Sequence, residues 1–176
     1  MADRRVLDIG GGEVLAEFMR WGALPHNLYG IDLLSGPLEI AKQRFPGLHL
    51  QQGNAEHLDF PDAFFDLVGQ FTVFTSILDD RMAHNIAGEI RRVLKPGGAV
   101  IWYDLRFDNP WNVHVRGITR PQVAALFSGF SADLRSMTLL PPLARRLGRA
   151  TQTLYPILSK IPAFHTHYLG LLMKPR

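Results

Sequence analysis

Three consecutive glycines, Gly10, Gly11 and Gly12, follow a short apolar segment in the sequence VLDIGGGEVLAEF, residues 6–18. Glycine adopts backbone angles that other residues avoid, and its missing side chain lets a ligand lie against the backbone. The helix predicted after the turn presents unpaired N–H groups, which favour a carboxylate or a phosphate. The segment therefore predicts a turn that binds an anionic ligand, although a tight turn without a ligand would also account for the same glycines.

An acidic residue, Asp32, ends the next apolar segment, 22 residues after Gly10. A carboxylate at the end of a second parallel strand can accept hydrogen bonds from both hydroxyl groups of a ribose. Gly10, Gly12 and Asp32 together therefore predict a cofactor that contains adenosine. Asn54 follows the third apolar segment, where its amide either bonds an adenine edge or caps a turn.

Short apolar segments alternate with segments of helical spacing along the chain. The predicted strands are 6–9, 27–32, 48–53, 65–71, 99–104, 131–140 and 165–174. The predicted helices are 13–21, 35–45, 82–94 and 120–127. Gly97 and Gly98 are predicted to end the third of these helices. This alternation predicts an α/β fold in which helices cover both faces of a parallel sheet, with the ligand beyond the carboxyl ends of the strands.

The composition excludes several classes of protein. With 176 residues, of which 47% are hydrophobic and 20% charged, the chain is predicted to be one soluble domain with a hydrophobic core. It has no cysteine, which excludes disulfides and thiolate catalysis, and no metal site is predicted. No apolar run is long enough to span a bilayer and no signal peptide is evident, so a cytoplasmic protein is expected. The net charge of +3 is too small to predict a nucleic-acid partner.

Four segments, in this order, resemble the class I S-adenosylmethionine-dependent methyltransferases of type 11. VLDIGGG is similar to the first motif of that family, and YGIDLLSGPLEIAKQRFP to its second strand and helix. GNAEHLDFPDAFFDLV is similar to the stretch of the family that runs from the adenine contact into the fourth strand. EIRRVLKPGGAVIWYD is similar to its helix, turn and fifth strand. The resemblance covers residues 6–105, with a weaker continuation to 174. It implies one domain over 1–176, a Rossmann-like three-layer sandwich with a mostly parallel seven-stranded sheet and an antiparallel last strand pair.

The resemblance also implies S-adenosylmethionine as the cofactor and a role for each matched position. The implied cofactor-binding residues are Asp8, Gly10, Gly12, Asp32, Leu33, Asn54, Ala55 and Gln70. Asp8, Gly10 and Gly12 would line the methionine half of the cofactor, and Asp32 would hold the ribose. Leu33, Asn54 and Ala55 contact the adenine, and Gln70 lies beneath the sulfonium.

Two features depart from the family pattern. The family usually has a third glycine in the turn, at a position that is Val14 here. Either the first helix begins earlier and the pocket is intact, or the methionine end of the cofactor is crowded, where Glu13 would repel its carboxylate. Only residues 1–5 precede the first strand, where family members usually carry a helix that covers the site.

The candidate catalytic residues lie after the fifth strand, in YDLRFDNPWNVHVRGI. Methyl transfer requires an aligned acceptor, and an oxygen or nitrogen acceptor also requires a base. Tyr103, Asp104 and His114 are the predicted catalytic residues, since they lie at or beyond the end of the strand on the substrate side and histidine titrates near neutral pH. A surface or structural role for His114 is the alternative.

The segment 141–164 separates the last two predicted strands and contains four basic residues but no acidic one: Arg145, Arg146, Arg149 and Lys160. Four leucines can share one helix face, namely Leu143, Leu147, Leu154 and Leu158. The pattern predicts a helical insertion, which is either an amphipathic helix packed on the domain or a lid that contacts a membrane surface or a lipid-linked acceptor. We expect this segment and the loop after Tyr103 to determine the acceptor.

The sequence therefore predicts a methyltransferase that acts on a small-molecule, sugar or lipid-linked acceptor. A methyltransferase-like binding protein without turnover is the alternative, which the short turn and the missing helix favour. A nicotinamide-dependent oxidoreductase is disfavoured because its fingerprint needs a glycine where this chain has Leu15.

Overall fold

A seven-stranded mixed sheet organises the structure. The computed structural model describes residues 1–12, 14–140, 145–146, 148, 150–158 and 160–176. The strands are β1 (Val6–Ile9), β2 (Leu28–Asp32), β3 (His49–Gln52), β4 (Phe65–Phe71), β5 (Leu94–Leu105), β6 (Ser131–Leu139) and β7 (His165–Met173). The described helices of six or more residues are α1 (Leu15–Arg20), α2 (Ser35–Arg44), α3 (Asp80–Val93), α4 (Arg120–Leu126) and α5 (Ala150–Leu158).

The strand order in the sheet is β3-β2-β1-β4-β5-β7-β6. The first five strands in this order pair in parallel, and β7 runs antiparallel between β5 and β6. This topology confirms the predicted Rossmann-like fold with its antiparallel last strand pair. The chain proceeds outwards in opposite directions from β1 and β4, so a crevice opens between the carboxyl ends of these two strands.

Hydrophobic clusters cover both faces of the sheet. On one face, Ile86 and Ile90 of α3 pack with Trp102 of β5. On the other face, Leu15 and Phe18 of α1 pack with Val6, Leu28 and Ala23. Since successive residues of a strand point to opposite faces, short apolar strands such as β1 can contribute to both clusters.

The boundary between α3 and β5 differs from the prediction. The apolar pattern predicts a helix that includes Leu94 and ends at Gly97 and Gly98. In the structure β5 already begins at Leu94, which pairs with Phe65 before the register shifts. Gly97 has a φ of +75°, and its N–H donates to the carbonyl oxygen of Lys174 at 3.2 Å. The glycines therefore form an irregularity within the strand, because their backbone is held by the chain terminus.

Two predicted helical segments are only partly described. The first helix begins at Leu15, and Glu13, where the prediction starts it, lies outside the described residues. In the segment 141–164, α5 lies between β6 and β7 in the chain. Three residues that the helical prediction used, Leu143, Leu147 and Arg149, lie outside the described residues. No helix in the described part of the chain is long and apolar enough to cross a membrane.

Candidate functional site

The glycine turn connects β1 to α1 beside the crevice. Gly10, Gly11 and Gly12 have φ angles of +107°, +125° and +83°, a region that other residues rarely adopt. The N–H of Gly12 donates to Oδ2 of Asp8 at 2.9 Å. A Cβ atom on Gly10 would lie 2.8 Å from Cγ2 of Val73. The turn therefore cannot take a side chain at Gly10 unless the residue opposite moves.

A cavity of about 570 Å³ opens at the ends of β1, β2, β3 and β4, and we call it the first cavity. Five of the predicted cofactor residues line it: Gly10, Asp32, Leu33, Asn54 and Ala55. Its other lining residues are Ile9, Leu34, Gly53, Phe71, Thr72, Val73, Ser76, Ile77, Met82 and Ile86. The volume lies in the range of small-molecule sites, and the walls are mostly apolar with a few polar groups.

Asp32 places a carboxylate at the end of β2. Its Oδ1 accepts a hydrogen bond from the N–H of Leu34 at 2.8 Å, which fixes the side chain. A Cβ atom on Gly11 would lie 3.4 Å from Oδ2, so the second oxygen lies close to the glycine turn. Within the described residues Oδ2 has no hydrogen-bond partner, so it can accept bonds from a ligand in the first cavity.

Asn54 is held in a turn of its own. Its Oδ1 accepts from the N–H of Glu56 at 2.9 Å, and its Nδ2 donates to Oε1 of Glu56 at 3.0 Å. The other carboxylate oxygen of Glu56 accepts from Asn85 at 2.8 Å, and the bonds from Asn85 and Asn54 lower the pKa of Glu56. Of the two roles that the sequence allows for Asn54, the structure shows the turn cap. The turn fixes the backbone of Ala55 at the cavity wall.

Three other predicted cofactor residues, Asp8, Gly12 and Gln70, do not line the first cavity. Asp8 is 2% exposed, and burial raises its pKa to about 7; the bond from Gly12 opposes this shift and the charge of Asp32 adds to it. Gln70 is fully buried and accepts a long bond of 3.4 Å from the N–H of Val73. Asp8 and Gln70 thus support the cavity walls from beneath.

A strained turn after β4 forms part of the first cavity, and the sequence did not predict it. Thr72 has a φ of +59°, which is uncommon for a residue other than glycine. Its N–H donates to the carbonyl oxygen of Tyr103 at 2.7 Å and its hydroxyl to that of Phe71 at 2.7 Å. These bonds hold Val73 against Gly10. Met82 and Ile86 of α3 also line the cavity, and nothing in the sequence distinguishes them from the other apolar residues of that helix.

The structure does not bring the three predicted catalytic residues together. Tyr103 and Asp104 are consecutive on β5 and so point to opposite faces of the sheet. Asp104 is buried, which raises its pKa to about 6, and its Oδ1 accepts from the N–H of Thr75 at 3.0 Å. His114 is exposed on the loop after β5, and its backbone N–H donates to Oδ1 of Asn112. Asp104 therefore fixes a turn, and His114 lies apart from the first cavity.

A second cavity, of about 350 Å³, lies beyond the end of β5. Its walls combine the loop after β5, the end of the β6 segment and the start of β7: Leu105, Phe107, Asp108, Asn109, Pro110, Trp111, Leu140, Arg145, Thr166 and His167. The structure thus joins parts of the two regions in which the sequence predicts acceptor specificity. Within the described residues, no group of three His, Asp or Glu side chains is arranged to hold a metal ion.

An aromatic row connects the two cavities. Phe71 lines the first cavity, and its ring centroid lies 6.4 Å from that of Tyr103. Tyr103 stacks on His167 with a centroid distance of 4.6 Å, and His167 lines the second cavity. The hydroxyl of Tyr103 bonds Oγ1 of Thr138 at 2.8 Å. Tyr103 therefore lies between Phe71 of the first cavity and His167 of the second.

Comparison with known proteins decides the family. Residues 7–102 match the family Methyltransf_11, described as a methyltransferase domain, and this match covers more than half of the chain. The chain belongs to this methyltransferase family. Family membership identifies S-adenosylmethionine as the cofactor of the domain.

Relatives of the methyltransferase domain include two mycobacterial enzymes. Phthiotriol/phenolphthiotriol dimycocerosates methyltransferase 1 of Mycobacterium ulcerans is 32% identical over 126 residues, which cover 66% of this chain and 44% of the relative. Fatty-acid O-methyltransferase of Mycolicibacterium smegmatis is 36% identical over 110 residues, which cover 58% of this chain and 38% of the relative. The chain thus spans less than half the length of these relatives.

Solved structures share the fold of the methyltransferase domain. An S-adenosylmethionine-dependent methyltransferase from Methanosarcina mazei superposes with a TM-score of 0.72 over 99% of this chain and 94% of that one, at 21% identity. The local geometry of the first cavity fits the adenosine half of the cofactor. Gly10 leaves space where a side chain would fill the turn, Asp32 offers a carboxylate oxygen for a ribose, and Leu33 and Met82 provide apolar surface for a base.

Proposed function

We propose that this protein transfers a methyl group from S-adenosylmethionine to a small, apolar or lipid-like acceptor. The observation that carries the proposal is that Gly10, Asp32 and Ala55, from the ends of three strands, border one open cavity at the point where the strand order reverses. Ligands of open α/β sheets bind at this point. One domain over residues 1–176 is part of the proposal.

Each residue at the first cavity has a proposed role. Asp32 accepts hydrogen bonds from the ribose hydroxyls, and Gly10 lets the cofactor approach the backbone. Leu33 and the turn at Asn54 and Ala55 enclose the adenine. When bound, the cofactor supplies a methyl group made reactive by the positive sulfur. The chain then has to hold the acceptor in line with that methyl group and to exclude other nucleophiles.

Three further residues have proposed positioning roles. Asp8 accepts from the N–H of Gly12 and so fixes the glycine turn from the buried side. Gln70 accepts from the N–H of Val73, the residue that faces Gly10. In this proposal Asp8 and Gln70 act through the backbone they hold, and Gly12 keeps the turn open toward the methionine half.

The second cavity and the relatives together support an apolar acceptor. The printed names of the two mycobacterial relatives refer to a lipid and to a fatty acid. Phe107, Pro110 and Trp111 give the second cavity an apolar wall next to the end of β5. Tyr155 and Ile157 of α5 are 50% and 62% exposed. With Arg145, Arg146 and Lys160 nearby in the chain, α5 is proposed to contact the lipid surface that holds the acceptor.

Isothermal calorimetry with three ligands tests the cofactor part of the proposal. S-adenosylhomocysteine and 5′-methylthioadenosine are expected to bind with one site each, because both contain the adenosine half. NADH is the control and should not bind measurably. Absence of binding by both adenosyl compounds would contradict the proposal, and tight binding of NADH would favour an oxidoreductase instead.

A transfer assay separates the enzyme from a binding protein. The protein is incubated with S-adenosylmethionine labelled in the methyl group and with a total lipid extract, and label in the organic phase is counted. Label above that of the heat-inactivated protein is expected. Adenosyl binding without label in either the organic or the aqueous products would favour a methyltransferase-like protein without turnover.

A further inference from the structure

The hydrogen bonds at the start of β7 determine which nitrogen of His167 is protonated. The hydroxyl of Thr166 donates to the carbonyl oxygen of Thr138 at 3.0 Å. This hydroxyl also lies 2.7 Å from Nδ1 of His167. A hydroxyl has one hydrogen, and a carbonyl oxygen can only accept it, so Oγ1 of Thr166 must accept from an N–H at Nδ1. The neutral imidazole therefore carries its lone pair on Nε2.

The ring of His167 is held in a fixed orientation at the wall of the second cavity. Its face stacks on Tyr103 with an interplanar angle of 2°, which fixes the plane of the ring. Partial burial lowers the pKa of His167. Within the described residues, Nε2 has no hydrogen-bond partner. A fixed lone pair on a neutral, cavity-lining ring is an acceptor for a ligand that donates a hydrogen bond.

The other groups of the second cavity indicate a neutral ligand with an aromatic ring. Asp108 and Arg145 contribute one charge of each sign, so the cavity does not select a net anion. Asp108 already accepts from the N–H of Gly117 at 2.9 Å. Phe107 and Trp111 supply flat apolar surface, and Trp111 is 85% exposed. A carboxylate would meet the lone pair of Nε2 unfavourably, whereas a protonated hydroxyl would donate to it.

We propose that the second cavity binds a phenol-like acceptor, with the ring between the apolar walls and its hydroxyl donating to Nε2 of His167. This inference rests on the proposed methyltransferase activity and names its acceptor class. In the transfer, the hydroxyl oxygen forms the O–CH3 bond while the S–CH3 bond breaks with its electron pair on sulfur. The hydroxyl proton moves to Nε2, which leaves an imidazolium whose Nδ1–H is already bonded to Thr166.

Two probes of the same shape test the hydrogen bond without the cofactor. 4-Butylphenol carries the hydroxyl, and 4-butylanisole replaces it by a methyl ether that cannot donate. Nitrogen-15 NMR of the histidine rings is expected to show an unprotonated Nε2 for His167 in the free protein, and a shift of that signal with the phenol only. Calorimetry is expected to give roughly fivefold tighter binding of the phenol, the factor for one net hydrogen bond.

Matched variants assign the preference to His167. His167→Phe keeps a flat ring against Tyr103, and the preference for the phenol is expected to vanish while the anisole affinity changes less than about twofold. Thr166→Val removes the hydroxyl that holds Nδ1–H, so the ring should populate both tautomers and the preference should fall. His26→Phe, at an exposed histidine outside both cavities, is the control and should retain the wild-type ratio.

Three outcomes would overturn the inference. They are equal binding of the two probes by the wild type, a proton on Nε2 in the free protein, and an unchanged preference in the phenylalanine variant. S-adenosylhomocysteine binding, measured on the same samples, is expected to be equal in the wild type and His167→Phe. Failure of that ligand to bind either protein would contradict the proposed function. The two probes would still decide whether the second cavity binds a phenol through Nε2 of His167.

Discussion

The first and second cavities share the carboxyl edge of the sheet but are built from different kinds of parts. The first is formed by turns at the ends of β1, β2, β3 and β4, together with residues of α3. The second is formed by side chains from the β5–α4 loop, from Arg145 and from the start of β7, which are far apart in the chain. Parallel pairing fixes the first kind of site, whereas loop conformation fixes the second.

This difference has a physical consequence for what each cavity can recognise. The register pairs Asp8 with Gly30 and with Gly69, so the positions of the strand ends follow directly from the sheet. A site on such ends keeps its shape when loops change, which suits a ligand shared by a whole family. Loops vary without disturbing the sheet, which suits an acceptor particular to one protein.

The largest effect on ligand binding is expected from a substitution in the glycine turn, which lines the first cavity and not the second. Gly10→Ala places a Cβ atom against Val73 and forces alanine into a φ of +107°, so binding of S-adenosylhomocysteine should become undetectable, with a stability loss of about 1–3 kcal/mol. Gly22→Ala is the matched control, since Gly22 also has a positive φ, of +86°, but has no atom within 4 Å. It should lose stability and keep the affinity. Calorimetry and thermal unfolding measure both, and normal binding by Gly10→Ala would refute the close approach.

The second prediction concerns the buried carboxyl beneath the first cavity. Asp8 has a pKa of about 7 in the folded state, above its value in the unfolded chain, so the folded state binds the proton more tightly. Its stabilising contribution is full below about pH 4 and is lost as the pH rises through 7, by on the order of 2–3 kcal/mol between pH 5 and 8. Asp8→Asn cannot ionise and should flatten this decline.

Urea unfolding at pH 5, 6, 7 and 8 measures the effect of Asp8. Asp104, with a pKa raised to about 6, acts in the same direction and remains in the Asp8→Asn variant, so some decline should persist. Removal of both, in Asp8→Asn with Asp104→Asn, is expected to flatten the profile further. A wild-type stability that rises from pH 5 to 8, with an unchanged slope in Asp8→Asn, would contradict the raised pKa of Asp8.

The third prediction tests the carboxylate at the end of β2. Asp32→Asn keeps an oxygen for the N–H of Leu34 but removes the charge that strengthens bonds from a ribose. S-adenosylhomocysteine affinity should fall about 30-fold, equivalent to roughly 2 kcal/mol. Asp59→Asn, at an exposed aspartate outside the first cavity, is the control. Binding of 4-butylphenol should be the same in all three proteins, because Asp32 does not line the second cavity, and a parallel loss there would mean that the substitution disturbs both cavities.

The smallest expected effect sharpens the role of Asn54. If its side chain only caps the turn, Asn54→Ala should weaken S-adenosylhomocysteine binding about threefold, since one local hydrogen-bonded turn is lost. Asn85→Ala removes the neighbouring bond to Glu56 without touching the turn and should change the affinity less than about twofold. A loss above about tenfold in Asn54→Ala would instead indicate a direct bond to the adenine.

The elements of the fold were largely predictable, with errors where tertiary contacts decide. Strands β1 and β4 match their predicted bounds, because short apolar segments buried on both faces leave few alternatives. The start of β5 was missed by five residues, since the apolar Leu94 continues the stripe of α3 in the sequence. Its assignment to the strand depends on pairing with Phe65 and on contacts of Gly97 with the chain terminus.

At the candidate site the sequence identified residue types and the structure determined their use. Gly10 and Asp32 were found because a glycine turn after one strand and a carboxylate at the end of the next are together typical of adenosine binding. Gln70 was matched by position and proved to be buried under the turn. Thr72 had no signal, because a left-handed threonine is imposed by its bonds to Phe71 and Tyr103 and not by its own preference.

The sequence by itself determined the order of strands and helices, and with it the edge at which Gly10, Asp32 and Ala55 meet. These properties follow from the spacing of apolar, polar and glycine residues that are close together in the chain. Only the tertiary structure decided the inferred tautomer of His167, because the carbonyl oxygen of Thr138 on β6 takes the hydroxyl hydrogen of Thr166, which lies beside His167 on β7. A hydrogen-bond direction of this kind depends on atoms that are distant in the chain, so no local pattern can encode it.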